Sequence, residues 1–221
     1  MNRRLRLARL EDTDALLAIY APYVLETCIT FEYAVPCRDE FAGRLRRTGG
    51  DYPWLVLEEE GRITGYAYAA RHMERAAYQW NAVLSVYMDR ACTGRGGGRA
   101  LYGALLDLLA MQGIRNAYGC VTVPNEASEA LHAAFGFRLL GEFPASGYKA
   151  GGWHGIRWYG RSLNRSDAAP ARFLSVEEIL VLRAEDVRAV LARHAASVPA
   201  SADASEEPSS PNSPSAPTAA A

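Results

Sequence analysis

The residues best suited to chemistry lie in one short segment, Thr93-Gly94-Arg95-Gly96-Gly97-Gly98-Arg99. Glycines at 94, 96, 97 and 98 let the backbone turn sharply and bring bare N–H groups against a ligand. A strongly helical stretch follows, and the start of a helix adds unsatisfied donors and the positive end of its dipole. Arg95 and Arg99 can add charge-assisted bonds to phosphate oxygens. The segment suits a phosphate or pyrophosphate, and the same residues would also serve as a plain glycine-rich turn. Two nucleotide motifs fail on detail. A Walker loop ends in Gly-Lys-Ser/Thr, whereas this one ends Gly98-Arg99-Ala100, and Lys149 is the one lysine of the chain. A dinucleotide fingerprint needs a third glycine where Arg99 stands, and it follows the first strand of its unit; here the loop follows the fourth strand, with three more before that one.

Among ionisable side chains outside the loop, His132 is one candidate, because imidazole titrates near neutrality and serves as acid or base. The bland alternative is a histidine on the buried face of a short helix, bonded to backbone. His72 and His154 read as loop or edge residues. No histidine pair has metal spacing and no Cys–His pair is visible, so no metal is expected. Cys28, Cys37, Cys92 and Cys120 lie far apart without a CxxC. That fits reduced thiols in the cytoplasm.

These residues need elements to position them, and the body alternates strand and helix signals. Arg4–Ala8 alternates with period two and reads as a strand. Glu11–Asp14 caps a helix carrying Leu16, Ile19, Tyr20 and Val24. A second helix starts near Pro36 and stops at Gly49-Gly50. Trp54–Glu60 and Ile63–Ala69 read as a strand pair around Gly61. Trp80–Asp89 is a strand, 98–112 a helix and Ile114–Val123 a strand. A short helix begins at Pro124-Asn125 and ends at Phe135-Gly136, and Phe137–Phe143 and Trp153–Leu163 finish as strands. The order is β-α-α-β-β-β-α-β-α-β-β.

The 221 residues suffice for one core and an appendage. A net charge of −1 argues against binding nucleic acid or anionic lipid through bulk charge. The arginine-studded start holds no signal-peptide core, and no stretch is long and apolar enough for a membrane span. The composition divides the chain into a domain over 1–164, a short helical extension over 165–199 and an Ala/Ser/Pro-rich tail over 200–221, expected to be disordered. Ser175 and Glu178 form a capping box ahead of one or two amphipathic helices, docked on the body or on a partner.

The ordered motifs resemble the GNAT acyltransferase superfamily. Its cofactor loop, Gln/Arg-x-x-Gly-x-Gly/Ala after strand four, is filled by Thr93–Gly98, with threonine in the first place. Ala77-Tyr78-Gln79-Trp80, Val86-Tyr87-Met88, Pro124–Ser128, Leu131-His132 with Phe135-Gly136-Phe137, and Gly147-Tyr148-Lys149 with Trp153-His154 narrow the resemblance to the phosphinothricin and methionine sulfone/sulfoximine N-acetyltransferases. It covers about residues 3–163.

The resemblance implies an α+β, three-layer fold. Its mixed, mostly antiparallel sheet would be splayed between strands four and five and flanked by helices. It implies acetyl-CoA as co-substrate, with Val86, Tyr87 and Met88 on the pantetheine arm and Gly94, Arg95, Gly96, Gly97, Gly98 and Arg99 at the pyrophosphate. Asn125 would bond to the passing pantetheine. His132 takes the slot of the residue that protonates the departing thiolate. Phe31, Glu32, Arg75 and Tyr78 match positions lining the amino-acid site. A small-molecule amine, and a homodimer, complete the implied partners. The amine would attack directly in a ternary complex.

One position departs from the pattern. The glutamate that accepts the amine's proton in this subgroup is Val83 here, and general-base help is worth roughly 10²–10⁴-fold. The amine then arrives neutral or loses its proton to solvent, or another group serves, such as His132, Glu32 or His72. Otherwise the chain binds acyl-CoA with little catalysis. A protein-directed acetyltransferase recruiting its target through residues 175–194 is the remaining alternative.

Overall fold

A computed structural model describes residues 3–165 and 168–199; the tail over 200–221 lies outside the described residues. Seven strands form one sheet in the order β1-β2-β3-β4-β5-β7-β6. They are β1 (Arg3–Leu7), β2 (Trp54–Glu59), β3 (Arg62–Arg71), β4 (Asn81–Met88), β5 (Asn116–Val123), β6 (Arg138–Lys149) and β7 (Gly152–Ser162). The helices are α1 (Thr13–Glu26), α2 (Arg38–Gly49), α3 (Gly97–Met111), α4 (Glu126–Ala134), α5 (Val176–Leu182) and α6 (Ala184–Ala196).

The mixed sheet with helices on both faces is the fold the sequence implies. Strand side chains alternate between faces. Leu55, Leu57, Ala67, Ala69, Ala82, Leu84 and Ala117 therefore pack under α3, in one core with Leu101, Leu105 and Leu108. Val56 and Tyr66 point the other way, toward Leu16, Tyr20 and Val24 of α1 and Phe41 and Leu45 of α2.

The β4–β5 pair is parallel and short. Asn81, Ala82 and Val83 pair with Asn116, Ala117 and Tyr118, and there it stops. Beyond Val83, β4 stays with β3 as far as Met88, and β5 stays with β7 as far as Val123. The two strands thus part just after Val83, at the end where β4 runs toward the glycine loop.

β6 runs six residues past the expected Phe143. Its register with β7 shifts between Phe143 and Gly147, and such an irregularity lets Pro144 sit in the strand without a ladder donor. The extension docks on the body. Val187 and Val190 of α6 are buried in the α3 core, and Asp107 of α3 accepts from Arg193 at 2.8 Å and His194 at 2.7 Å.

Candidate active site

α3 begins with Gly96 as its N-cap at φ +84°, and no side chain caps it. Gly94 lies at φ +75°. Both values fall in the left-handed region that glycine enters without steric cost. The first-turn N–H groups of a helix have no partner within it, and no acidic side chain stands in this first turn. Those of Gly97, Gly98 and Arg99 are therefore donors for an anion. Gly97 serves packing as well: a Cβ there would lie 2.8 Å from Leu57 Cδ2 and Met88 Cε, so the helix start sits directly on the sheet. Arg95 and Arg99 are exposed beside it, Arg99 with its guanidinium 5.5 Å from the centre of the Phe135 ring.

Val86, Tyr87 and Met88 form the part of β4 that β5 has left, still paired with Ala67, Tyr66 and Gly65. One edge of their backbone thus faces the opening. The Met88 carbonyl accepts from the Tyr23 hydroxyl at 2.7 Å, and the Tyr87 ring meets Tyr20 and Tyr23 edge to face. Burial raises the phenols of Tyr66 and Tyr87 well above their ordinary range, so both keep their protons at any physiological pH. Across the opening Asn125 caps α4: its Oδ1 accepts from the Ser128 N–H at 3.2 Å, which leaves the Nδ2 amide as its donor.

The two faces of the opening differ. Tyr118 pairs with Val83 and shares its face; Gly119 points to the other. A Cβ on Gly119 would come 2.0 Å from His132 Nε2, so His132 lies on the α3–α4 side, opposite Val83. It is 4% exposed. Its Nδ1–H donates to the Ser128 carbonyl at 2.7 Å, and its Nε2 accepts from the Tyr102 hydroxyl at 2.9 Å; carbonyl and hydroxyl fix that tautomer. Burial lowers its pKa below the usual imidazole value, partly offset by the Ser128 bond. The ring is neutral at pH 7, with both nitrogens engaged.

On the α1–α2 side, Phe31 lies against Gly147 of β6, where a Cβ would be 2.4 Å from the ring. Glu32 receives a forked pair of bonds from Arg44, at 2.6 and 3.2 Å. Arg44, held by Glu40 as well, stays charged. The Tyr20 hydroxyl pairs with Thr30 at 2.8 Å, and burial pushes this phenol up to about 12. Lys149 is buried and donates to the Val24 and Thr30 carbonyls at 2.7 Å each. An ammonium at the C-terminus of α1 also meets the negative end of the helix dipole, and so clamps the segment carrying Phe31 and Glu32.

Arg75 and Tyr78 sit on a separate, exposed connection between β3 and β4. No hydrogen bond or ion pair among the described residues joins them to Glu32 or Phe31. The sequence reading missed Arg44, which looks like a solvated helix charge apart from its i,i+4 spacing to Glu40. It also missed Tyr118, which nothing in a period-two pattern distinguishes from a core aromatic. Among the described residues no group of acidic, histidine or cysteine side chains is arranged to hold a metal ion, and no helix is long and apolar enough to cross a membrane.

The family described as an acetyltransferase (GNAT) domain matches residues 5–158. A phosphinothricin N-acetyltransferase of Streptomyces viridochromogenes is 34% identical over 157 residues, covering 71% of this chain and 86% of the relative. An L-methionine sulfoximine/L-methionine sulfone acetyltransferase of Salmonella typhimurium is 31% identical, covering 67% and 88%. The crystal structure of a GNAT superfamily phosphinothricin acetyltransferase from Sinorhizobium meliloti in complex with AcCoA superposes with a TM-score of 0.74 at 32% identity, over 77% of this chain and 94% of that one.

Proposed function

The chain belongs to the GNAT acetyltransferase family and is an N-acetyltransferase. On that premise we propose that it moves the acetyl group of acetyl-CoA to the primary amine of a small amino acid or analogue, of the phosphinothricin or methionine sulfoximine kind, in one ternary complex. One geometric observation carries the reading: β4 loses its β5 partner just after Val83, and an uncapped, glycine-led helix opens at that same end. Acetyl-CoA supplies a thioester carbonyl open to attack by a neutral amine. The first-turn N–H groups of α3, with Gly94, Arg95 and Arg99, hold the pyrophosphate. The freed edge of Val86–Met88 pairs with the pantetheine amides as a missing strand would, and the Asn125 amide donates from across the opening.

On the amine side, Glu32 offers a carboxylate held in place by Arg44, suited to an ammonium. Arg75 and Tyr78 close over the substrate from the β3–β4 connection, where the Arg75 fork suits a carboxylate or phosphinate. For His132 we propose positioning: through Ser128 and Tyr102 it fixes α4, and with it Asn125. The transferase domain spans 1–164, and α5 and α6 of the extension over 165–199 pack on it; the family match over 5–158 supports that division. Four free thiols fit a cytoplasmic setting. Exposed apolar side chains on β6 and β7 (Leu139, Leu140, Phe143, Tyr148, Trp153) suit a homodimer contact, which sedimentation measures directly.

Thiol release with acetyl-CoA and a panel of phosphinothricin, methionine sulfoximine, methionine sulfone and simple amines tests the activity. Turnover of an amino-acid analogue is expected; silence across the panel overturns it. Val83 favours a second reading, acyl-CoA binding with feeble turnover. There calorimetry detects coenzyme A while the panel stays silent, and Val83→Glu raises the rate with unchanged affinity.

A further inference from the structure

The proton that must leave the ammonium has no acceptor at position 83, yet the strand register brings one to the same place. Ala70 of β3 pairs with Val83, which pairs with Tyr118 of β5, so all three side chains share one face. His72 lies two residues beyond Ala70, and its backbone N–H reaches the Asn81 carbonyl at 3.4 Å, continuing the register. Its side chain therefore falls on that face, diagonal to Val83, within the reach of a long side chain. The imidazole extends across β4: its ring centre is 4.5 Å from that of Tyr118 and 5.4 Å from that of Trp158 on β7. To reach Tyr118 from the end of β3, the imidazole crosses β4 on the face that Val83 shares.

We infer that His72 is the proton acceptor of this transferase, replacing the carboxylate missing at Val83. The inference rests on the acetyl-transfer reading above. His72 Nδ1 is buried and has no hydrogen-bond partner among the described residues. A buried polar atom left unpaired is uncommon in folded proteins, and an arriving ammonium, directly or through one water, supplies the missing hydrogen. The alternatives are otherwise engaged. Both nitrogens of His132 are bonded, on the opposite face, and the Glu32 carboxylate is forked by Arg44.

Burial lowers the His72 pKa, so the ring is neutral and ready to accept at pH 7. The groups facing it are the Tyr118 phenol from β5 and the uncharged Trp158 indole from β7; Arg71, Glu74 and Arg75 are its neighbours along the chain. In the step, one ammonium proton passes to Nδ1. The freed nitrogen lone pair forms the N–C bond; as the adduct collapses the C–S bond breaks with its electron pair on sulfur, the second proton lost by the nitrogen passes to that thiolate so that the thiol leaves, and the imidazolium returns its proton to water.

The test measures kcat against pH for the full chain, with acetyl-CoA and the best amine of the panel. For the wild type, kcat levels off above an apparent pKa below about 6.5, the ordinary imidazole value. His72→Gln is expected to lower kcat at pH 7 by about 10²–10³-fold, to leave the affinity for coenzyme A unchanged, and to keep rising toward alkaline pH. Adding Val83→Glu to His72→Gln recovers at least about tenfold, since a carboxylate takes a proton from the same place. An active wild type whose His72→Gln variant stays within about threefold, with the same acid limb, overturns the role of His72 alone. A wild type silent across the panel overturns the transferase reading and the role together.

Discussion

Replacing His132 with phenylalanine separates a residue that holds the site from one that works in it. The ring contacts survive, because phenylalanine still meets Phe137 and Tyr159, whose ring centres lie 5.1 and 5.3 Å away. Two hydrogen bonds do not. The Tyr102 hydroxyl, on a side chain 1% exposed, loses its partner at 2.9 Å; an unsatisfied buried donor costs about 1–3 kcal/mol. The bond to Ser128 contributes about 1 kcal/mol more. The sum, about 2–4 kcal/mol, lowers the Tm of a domain this size by about 4–16 °C. Adding Tyr102→Phe removes the stranded hydroxyl, so the double variant should be more stable than His132→Phe alone.

The pH dependence has a definite sign. The folded pKa of His132 lies below its unfolded value, so below about pH 6.5 the unfolded chain binds more protons. The stability tied to this residue is complete above that pH and lost as pH falls; in His132→Phe that part of the acid sensitivity disappears. Calorimetric melting between pH 5 and 8 measures both effects. Thiol release, run well below the Tm, should stay within about threefold of wild type per folded molecule. A variant as stable as wild type refutes the contact reasoning. A stable variant slowed by about a hundredfold or more refutes the positioning role and returns His132 to acid chemistry.

Lys149→Met removes the ammonium that joins the Val24 and Thr30 carbonyls. A loss of about 2–4 kcal/mol is expected in denaturant melts, with a higher KM for the amine and little change for acetyl-CoA. Gly96→Ala forces an L-residue to φ +84° and should weaken coenzyme A binding about tenfold by calorimetry, about 1.4 kcal/mol. Asp107→Asn loosens α6 from α3. Its carboxyl is held below the usual range by His194 and Arg193 but is part-exposed, so about 1 kcal/mol is at stake. In the wild type that share is present above about pH 4 and lost as pH falls through the lowered pKa, and hydrogen exchange in α6 reports it.

Much of this protein is written in local sequence. Period-two and period-3.6 patterns, capping residues and glycine stops place the elements in order, because each depends on neighbours a few residues away. The glycine run predicts a turn suited to an anion, since left-handed backbone and a helix start are local properties. Val83 stands out by resemblance alone, where the family pattern expects a glutamate.

Which side chains can reach that position is not local. His72, Val83 and Tyr118 are spread over three strands, and only the β3–β4–β5 register puts them on one face and His132 on the other. A one-residue slip in pairing would invert that assignment. The forks of Arg44 on Glu32 and of Lys149 on the end of α1 likewise join segments 12 and more than 100 residues apart. Their partners are chosen by packing distance and burial, quantities that exist only once the chain has folded.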